Sequence, residues 1–235
     1  MISLPIAGKN ATYTVKPSKI LALGLNYREH LAESATLKVR GFDATVPSEP
    51  VVFSKTINSL CGPGEPIVLP KIIDGYGFEQ PRTDYEAELA FFIGRSGKHI
   101  PESEALDYVF GYTCANDVSQ RNTQNGDKSG WFRGKSFDTF CPVGPVVVPA
   151  DQIGDPQKLS IRSRLNGTVV QDSNTEHMIF SIPTMISFLS RNFTLEEGDL
   201  ILTGTPSGVG PMVVGDVIEV EVEGIGVLKN PVQKE

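Results

Sequence analysis

Three carboxylates alternate with other residues at the start of one apolar segment, TDYEAELAFFIG. Asp84, Glu86 and Glu88 occupy every second position, and apolar residues follow them. Residues two apart share one face of an extended strand and lie about 6.5 Å apart. At an effective dielectric of about 20, each neighbouring pair would repel by roughly 2 to 3 kcal/mol. The pattern therefore indicates either a solvated face, where the repulsion is screened, or a cation that neutralises the acids.

The apolar residues at the end of the same segment favour the cation. Ala90 and Phe92 would share the face of the carboxylates, which suggests that the acids lie at the mouth of a covered cavity. Mg²⁺ and Mn²⁺ prefer oxygen ligands, commonly two or three carboxylates with water. Glu86 and Glu88 supply two such ligands, and Asp117, where a predicted strand runs into a polar loop, is a third candidate. Considered alone, Asp117 is more typical of a turn residue or a helix cap.

Other polar residues have both a chemical and a structural interpretation. His30 and Glu33 lie three residues apart in a helix-like segment, so the carboxylate could orient the imidazole; alone, such a pair usually marks a solvated helix face. Lys135, in GKSFD, is either an ammonium near the acids or a solvated lysine. The segment TGTPSGVG lacks the G-K-[ST] ending of a phosphate loop and the Rossmann glycine spacing. A tight turn is a structural explanation for its glycines.

The segments that must position these residues are mostly short and strand-like. Apolar runs interrupted by Gly and Pro predict strands within residues 2–15 and at 84–93, 109–115, 146–148, 159–165, 200–203 and 217–222. One amphipathic helix follows Ser181 as N-cap. Its apolar stripe consists of Ile182, Met185, Ile186 and Leu189. Short strands with few helices predict a β-rich α+β fold with a rolled or sandwiched sheet.

Composition limits the classes of protein and partner. A chain of 235 residues with 40% hydrophobic and 21% charged residues can form one domain with a sizeable core. No apolar run is long enough to span a bilayer, and no secretory signal is visible, so we expect a cytoplasmic protein. The net charge of −7, without a basic block, argues against nucleic acid and membrane partners. Cys61, Cys114 and Cys141 are predicted to be buried thiols.

Six collinear motifs resemble the catalytic domain of the fumarylacetoacetate hydrolase family, from about residue 19 to residue 227. They are LGLNYREHLAES, GPGEPIVLP, DYEAELAFFIG, GYTCANDVSQRNTQ, GKSFDTFCPVGP and LTGTPSGVGP. The resemblance implies a mixed β-roll or β-sandwich domain with a few helices and a lid, usually homodimeric, that binds one Mg²⁺ or Mn²⁺ per chain. The family acts on small β-diketo acids or 2-oxo acids, by C–C hydrolysis, decarboxylation or isomerisation.

The resemblance also implies roles for individual residues. By position in the motifs, Glu86, Glu88 and Asp117 would be the metal ligands, and Asp84 would stand outside them as a supporting acid. Lys135 would stabilise the negative charge of an enolate. The remaining positions implied are the water-activating dyad His30 and Glu33, and the substrate contacts Gln124, Arg121, Gly204 and Thr205.

These observations together predict a single catalytic domain over residues 1–235. Residues 1–18 would form an N-terminal β extension, and residues 28–50 would form a lid helix and a flexible flap. The leading hypothesis is a metal-dependent hydrolase that cleaves a C–C bond of an acylpyruvate or fumarylpyruvate. Alternatives are oxaloacetate decarboxylation or 2-hydroxyhepta-2,4-diene-1,7-dioate isomerisation at the same site. An alternative of another class is a non-catalytic binding domain that a metal stabilises.

Overall fold

The computed structural model of the protein describes residues 2–31, 45–128 and 130–235. Short strands dominate these residues. They are β1 (Ile2–Pro5), β2 (Thr12–Val15), β3 (Ile20–Gly24), β4 (Val51–Lys55), β5 (Leu60–Cys61), β6 (Ile67–Leu69), β7 (Thr83–Tyr85), β8 (Ala87–Ile93), β9 (Val109–Asn116), β10 (Ser119–Gln120), β11 (Cys141–Pro149), β12 (Ser160–Leu165), β13 (Thr168–Asn174), β14 (Leu200–Leu202), β15 (Gly210–Pro211), β16 (Val217–Val222) and β17 (Gly226–Lys234).

Helices are few and mostly short. The α-helices are α1 (Ile72–Gly75), α2 (Arg121–Gly126), α3 (Phe132–Lys135) and α4 (Ile182–Asn192), and single 3-10 segments are found at Ile57–Ser59, Glu102–Tyr108, Ala150–Gln152 and Thr175–His177. A further helix begins at residue 28 and is described as far as residue 31. Across the described part of the chain, no helix combines the length and the apolar character that a membrane span requires. The fold is therefore β-rich α+β, as the sequence predicted.

Two mixed sheets form the body of the domain. The larger has the strand order β4-β3-β14-β8-β9-β11-β5, and the smaller has the order β13-β12-β16-β17-β6. Most neighbouring strands are antiparallel, but β3 with β14, β5 with β11 and β6 with β17 are parallel. A three-stranded sheet, β10-β7-β15, and the β1-β2 hairpin complete the arrangement. The hairpin lies within residues 1–18.

Strand β8 is buried on both faces of the larger sheet. Ala87, Leu89, Phe91 and Ile93 pack in a core cluster with residues of β12, β16 and α4, whereas Ala90 and Phe92 pack in a second cluster with β14 and the β1-β2 hairpin. This alternation of side chains confirms the period of two in the sequence. Because both faces are covered, the hypothesis of a solvated acidic face is wrong.

The predicted α4 is confirmed at its start and along its apolar stripe. Ser181 is the N-cap, and its Oγ accepts a hydrogen bond from the Thr184 amide at 3.3 Å. All four residues of the stripe are fully buried, and they are Ile182, Met185, Ile186 and Leu189. The helix packs against the 3-10 segment at Glu102–Tyr108 and lies on the larger core cluster.

The three cysteines are free and buried, as expected.

Some strand boundaries differ from the predictions for clear reasons. The strand predicted at 217–222 matches β16, but the one predicted at 84–93 is divided at Glu86 into β7 and β8. Residues 146–148 lie near the end of the longer β11. The first half of this strand contains Pro142, Gly144 and Pro145, a composition that is typical of a turn. Strand β13 has several exposed residues and was not predicted, because it lacks a continuous apolar pattern.

The double burial of β8 predicts a large cost for truncating its central aromatic residue. Phe91 is fully buried and contacts the Tyr112 ring edge-on, with 6.2 Å between ring centroids. We expect Phe91→Ala to lower the free energy of unfolding by about 3 to 5 kcal/mol, because it leaves a cavity in the main core. The measurement is urea denaturation followed by circular dichroism. Phe132→Ala is the control, since Phe132 is 49% exposed and its truncation should cost at most about 0.5 kcal/mol. Equal effects would contradict this account of the core.

Candidate active site

The antiparallel pairing of β8 with β9 brings the three predicted acids together. Ala87 pairs with Asn116 in this ladder, so the start of β8 lies beside the end of β9. At the break between β7 and β8, the Glu86 amide donates to Asn116 Oδ1 at 2.8 Å, and the Asp117 amide donates to the Glu86 carbonyl at 2.9 Å. These bonds hold Glu86 and Asp117 next to each other at the edge of the sheet.

Glu86, Glu88 and Asp117 form a buried group of carboxylates. One oxygen from each residue lies within 4.8 Å of the others, and the residues are 4%, 1% and 0% exposed. Three convergent carboxylate oxygens are a donor set suited to a hard divalent cation such as Mg²⁺ or Mn²⁺. Without a metal ion or neighbouring cationic side chains, their mutual repulsion would be severe in this interior. The group therefore fits the metal site that the sequence predicted.

Three cationic side chains bind the acidic group directly. Lys135 Nζ donates to Glu86 Oε2 at 2.8 Å and to Asp117 Oδ2 at 2.6 Å. Lys55 Nζ donates to Asp117 Oδ1 at 2.6 Å, and Arg121 Nη2 donates to Glu86 Oε1 at 2.5 Å. Burial opposes ionisation of Glu86, but Lys135 and Arg121 outweigh it and hold the pKa of Glu86 well below its usual range. The buried charges therefore compensate one another.

Asp84 lies behind the acidic group and binds two arginines. Its Oδ2 accepts from Arg121 Nε at 2.8 Å and its Oδ1 accepts from Arg82 Nε at 2.8 Å. Arg121 thus connects Asp84 to Glu86 and also donates to Gln124 Oε1 at 3.0 Å. The structure places Asp84 outside the trio of carboxylates, and its role as a supporting acid stays a prediction.

Glu88 has a different partner from the other two acids. The Gly204 amide donates to Glu88 Oε2 at 2.6 Å, so in this structure it orients a carboxylate. Gly204 has a φ of +94°, and an added Cβ would lie 2.8 Å from Asn26 Cβ, so only glycine fits here. Burial, Asp117 and Glu86 together raise the pKa of Glu88 well above its usual range.

A small pocket lies beside this group, with Glu86 in its lining. Six of the predicted site residues line it, namely His30, Glu86, Arg121, Gln124, Lys135 and Thr205. Its apolar wall consists of Leu23, Gly24, Leu25 and Trp131. Glu33, the predicted partner of His30, lies outside the described residues, as do residues 32–44 of the predicted lid. Residues 28–31 of that lid are helical, and residues 45–50 belong to neither a helix nor a strand.

Two glycines allow the pocket to close around the acids. An added Cβ at Gly134 would lie 2.7 Å from the Gln124 amide nitrogen, so this glycine lets α3 pack tightly on α2 and bring Lys135 to the carboxylates. An added Cβ at Gly24 would lie 2.7 Å from an atom of the Trp131 ring, so Gly24 leaves the space that the ring fills. The packing of α3 on α2 and the position of the Trp131 ring therefore both require a glycine without a side chain.

Comparison with known proteins identifies the family. The profile described as fumarylacetoacetate (FAA) hydrolase C-terminal matches residues 19–233, which is most of the chain. The chain belongs to the fumarylacetoacetate hydrolase family. Among its relatives is the mitochondrial oxaloacetate tautomerase fahd2 of Xenopus laevis, which is 45% identical over 226 residues, 92% of this chain and 66% of that protein.

Solved structures of the family have the same fold. Fumarylpyruvate hydrolase of Pseudomonas aeruginosa, in complex with Mn²⁺ and pyruvate, matches with a TM-score of 0.84 and 32% identity, over 100% of this chain and 96% of that one. A 2-hydroxyhepta-2,4-diene-1,7-dioate isomerase of Mycobacterium marinum matches with a TM-score of 0.79 and 38% identity, over 94% of this chain and 76% of that one. Members with this fold thus carry names of several different reactions.

Sequence reasoning missed several residues that this fumarylacetoacetate hydrolase family protein uses to build its site. Lys55, the last residue of β4, is fully buried, and a charged residue ending the apolar run VVFSK was the available signal. Gln171 Nε2 donates to Thr205 Oγ1 at 2.9 Å, and Asn26 Nδ2 donates to the Thr203 carbonyl at 2.8 Å. Both fix the loop after β14, but nothing in the local sequence distinguishes these amides from surface residues.

The raised pKa of Glu88 predicts a pH dependence of stability in the metal-free protein. The folded state keeps a proton that the unfolded state loses, so this contribution to stability is present below the ordinary glutamate pKa and is lost as pH rises toward the raised pKa. In EDTA, the free energy of unfolding should therefore fall more between pH 5 and pH 8 for the wild type than for Glu88→Gln. Urea denaturation at both pH values measures this difference. A wild-type decrease no larger than that of the variant would contradict the assignment.

Proposed function

We propose that this protein is a metal-dependent hydrolase that cleaves a C–C bond in a small β-diketo acid of the acylpyruvate or fumarylpyruvate type. The observation that carries the proposal is the buried carboxylate trio beside a pocket whose lining includes Lys135 and His30. The resemblance to a fumarylpyruvate hydrolase over nearly all of both chains supports the same reaction. In that reaction the bond between C3 and C4 of the substrate breaks, the oxygen of water joins the C4 acyl group, and C3 gains a proton.

The acidic group would hold one Mg²⁺ or Mn²⁺ through Glu86, Glu88 and Asp117. When bound, the cation would supply Lewis acidity toward the carboxylate and keto oxygens of a 2-oxo acid. Two similar solved structures, of a fumarylpyruvate hydrolase and a maleylpyruvate hydrolase, are complexes with Mn²⁺ and pyruvate. They support this pairing of metal and ligand for the present chain.

The remaining pocket residues would bind and orient the substrate. Lys135 would donate to the oxygen on which negative charge collects as the C–C bond breaks. Gln124 and Thr205 line the pocket as neutral hydrogen-bonding groups, and both are held by other side chains, Gln124 by Arg121 and Thr205 by Gln171. Held groups lose little further freedom when a ligand binds, which favours precise positioning.

His30 would act as the general base toward water. It lies in the pocket and is only 6% exposed, so a water molecule between it and the substrate would be shielded from solvent. We propose Glu33, from its position in the sequence, as the residue that orients the imidazole. The helix that begins at residue 28 would then be part of a lid, and closure of such lids commonly excludes water during catalysis.

A second candidate is catalysis on oxaloacetate, as a tautomerase or a decarboxylase. It is favoured by the 45% identity to a relative named oxaloacetate tautomerase, and both reactions involve the enol or enolate of a 2-oxo acid, as does the isomerisation of a 2-hydroxy dienedioate. A non-catalytic metal-binding domain is disfavoured, because metal stabilisation alone would not require His30, Gln124 and Lys135 to line one pocket. We further propose a single catalytic domain, a homodimer and a cytoplasmic location.

The proposed function predicts metal-dependent hydrolysis of an acylpyruvate. With Mg²⁺ or Mn²⁺ we expect acetylpyruvate to yield acetate and pyruvate, and EDTA to abolish the reaction because the three acids then lack their cation. Product analysis by NMR, with oxaloacetate and its enol measured in parallel, distinguishes the candidates. Turnover of oxaloacetate alone would replace hydrolysis by the second candidate. If neither acetylpyruvate nor oxaloacetate is turned over in the presence of metal, longer dioates are the next substrates to test.

Two variants separate metal binding from water activation. Asp117→Asn should lose activity mainly by losing metal, whereas His30→Ala should bind Mn²⁺ like the wild type and hydrolyse about 10² to 10⁴ times more slowly, because it lacks the base. Calorimetric Mn²⁺ titration and the rate of pyruvate release measure the two effects. His99→Ala is the matched control, since His99 is exposed. A His30→Ala protein with the wild-type rate would exclude His30 as the base.

A further inference from the structure

We infer that Lys135 is an internal counter-ion that occupies the metal site in the absence of metal, and that its release couples the binding of the divalent cation to the binding of an anionic 2-oxo acid. The inference rests on the proposed metal site. It adds a competitor built into the chain, and it predicts that metal alone binds more weakly than metal with substrate.

The oxygens of two candidate ligands are already occupied by cationic donors. Arg121 and Lys135 bind Glu86 Oε1 and Oε2, at 2.5 and 2.8 Å. Lys55 and Lys135 bind Asp117 Oδ1 and Oδ2, each at 2.6 Å. A divalent cation that takes an oxygen from each carboxylate must therefore meet at least one of these cations at close range. Because like charges at such distances repel strongly in a buried site, one of them has to move.

The surroundings of the three cations indicate which one moves. Arg121 is held by Asp84 Oδ2 at 2.8 Å as well as by Glu86. Lys55 has a side chain with 0% exposure and lies 3.4 Å from the Val118 carbonyl oxygen, which also accepts from it. Lys135 bridges two candidate ligands and also lines the open pocket. Arg121 lines the same pocket, but it blocks one ligand oxygen and is also held by Asp84, so Lys135 is the cation that we expect to turn toward the pocket.

The movement of Lys135 explains why an anion would be needed. An ammonium that leaves both carboxylates loses two charge-assisted hydrogen bonds and enters a small pocket, where an unpaired charge is costly. A carboxylate or enolate oxygen in that pocket would restore a partner for it. Metal binding and anion binding would then each favour the other, and such coupling is reciprocal and typically five- to 150-fold.

The experiment measures Mn²⁺ affinity by isothermal titration calorimetry, with and without saturating pyruvate, for the wild type and for Lys135→Met. We expect Lys135→Met to bind Mn²⁺ alone at least about fivefold more tightly than the wild type, and pyruvate to improve its Mn²⁺ affinity by a smaller factor than in the wild type. Lys158→Met is the control for removing one positive charge, because the Lys158 side chain is 70% exposed and its partner is Asp155, at 3.1 Å. It should behave like the wild type.

The outcomes separate this inference from the proposed function. If the wild type binds no Mn²⁺ with or without pyruvate, the metal site itself is excluded. If the wild type binds Mn²⁺ and Lys135→Met binds it no more tightly, the metal site stands and the counter-ion inference is overturned. Thermal unfolding checks that the variant is folded, and Lys135→Gln replaces it if it is not. A crystal structure of the wild type with Mn²⁺ and pyruvate is an independent test: Lys135 still bonded to both carboxylates would also overturn the inference.

Discussion

Three carboxylates buried within 4.8 Å of one another are the feature on which the rest of this structure depends. Removing an ion from water costs several kcal/mol even after relaxation of the protein, and placing like charges together adds to that cost, which is why the pKa of Glu88 is raised. The chain offsets it with buried cations and with a backbone amide. Lys55, Lys135 and Arg121 reach the acids from three different elements, β4, α3 and α2, and the Gly204 amide reaches Glu88 from the loop after β14. The packing of those elements therefore also brings together the charges that compensate the acids.

The sheets provide the rigidity that such a site requires. Strand β8 is covered on both faces by core clusters, so Glu88 cannot turn to solvent when the acids repel one another. The break at Glu86 lets the chain leave the large sheet and enter the small β10-β7-β15 sheet, which places Asp84 and its arginines behind the site. Because the metal would bind the folded arrangement of these carboxylates, part of its binding free energy would appear as stabilisation of this region.

The same scaffold serves different reactions among the relatives of this chain, whose names include a hydrolase, an isomerase and an oxaloacetate tautomerase. A shared fold therefore does not select the reaction. The selection must lie in the groups around the ligand. In this protein the candidate pocket is lined by polar residues and by the apolar wall of Leu23, Leu25 and Trp131, with the Trp131 ring packed against Gly24.

The sequence by itself determined the family, the strand that carries the acids, the amphipathic helix α4 and the residue types of the site. These follow from local signals, because a period of two, an N-cap serine and collinear motifs can be read without knowing the fold. Only the tertiary structure decided that both faces of β8 are covered, that the strand divides at Glu86, and that Lys55, Gln171 and Asn26 support the site. Their contacts join residues distant along the chain, such as Lys55 with Asp117 and Asn26 with Thr203. Local patterns carry no information about such pairs, because burial and charge compensation are decided when the sheets and loops pack together.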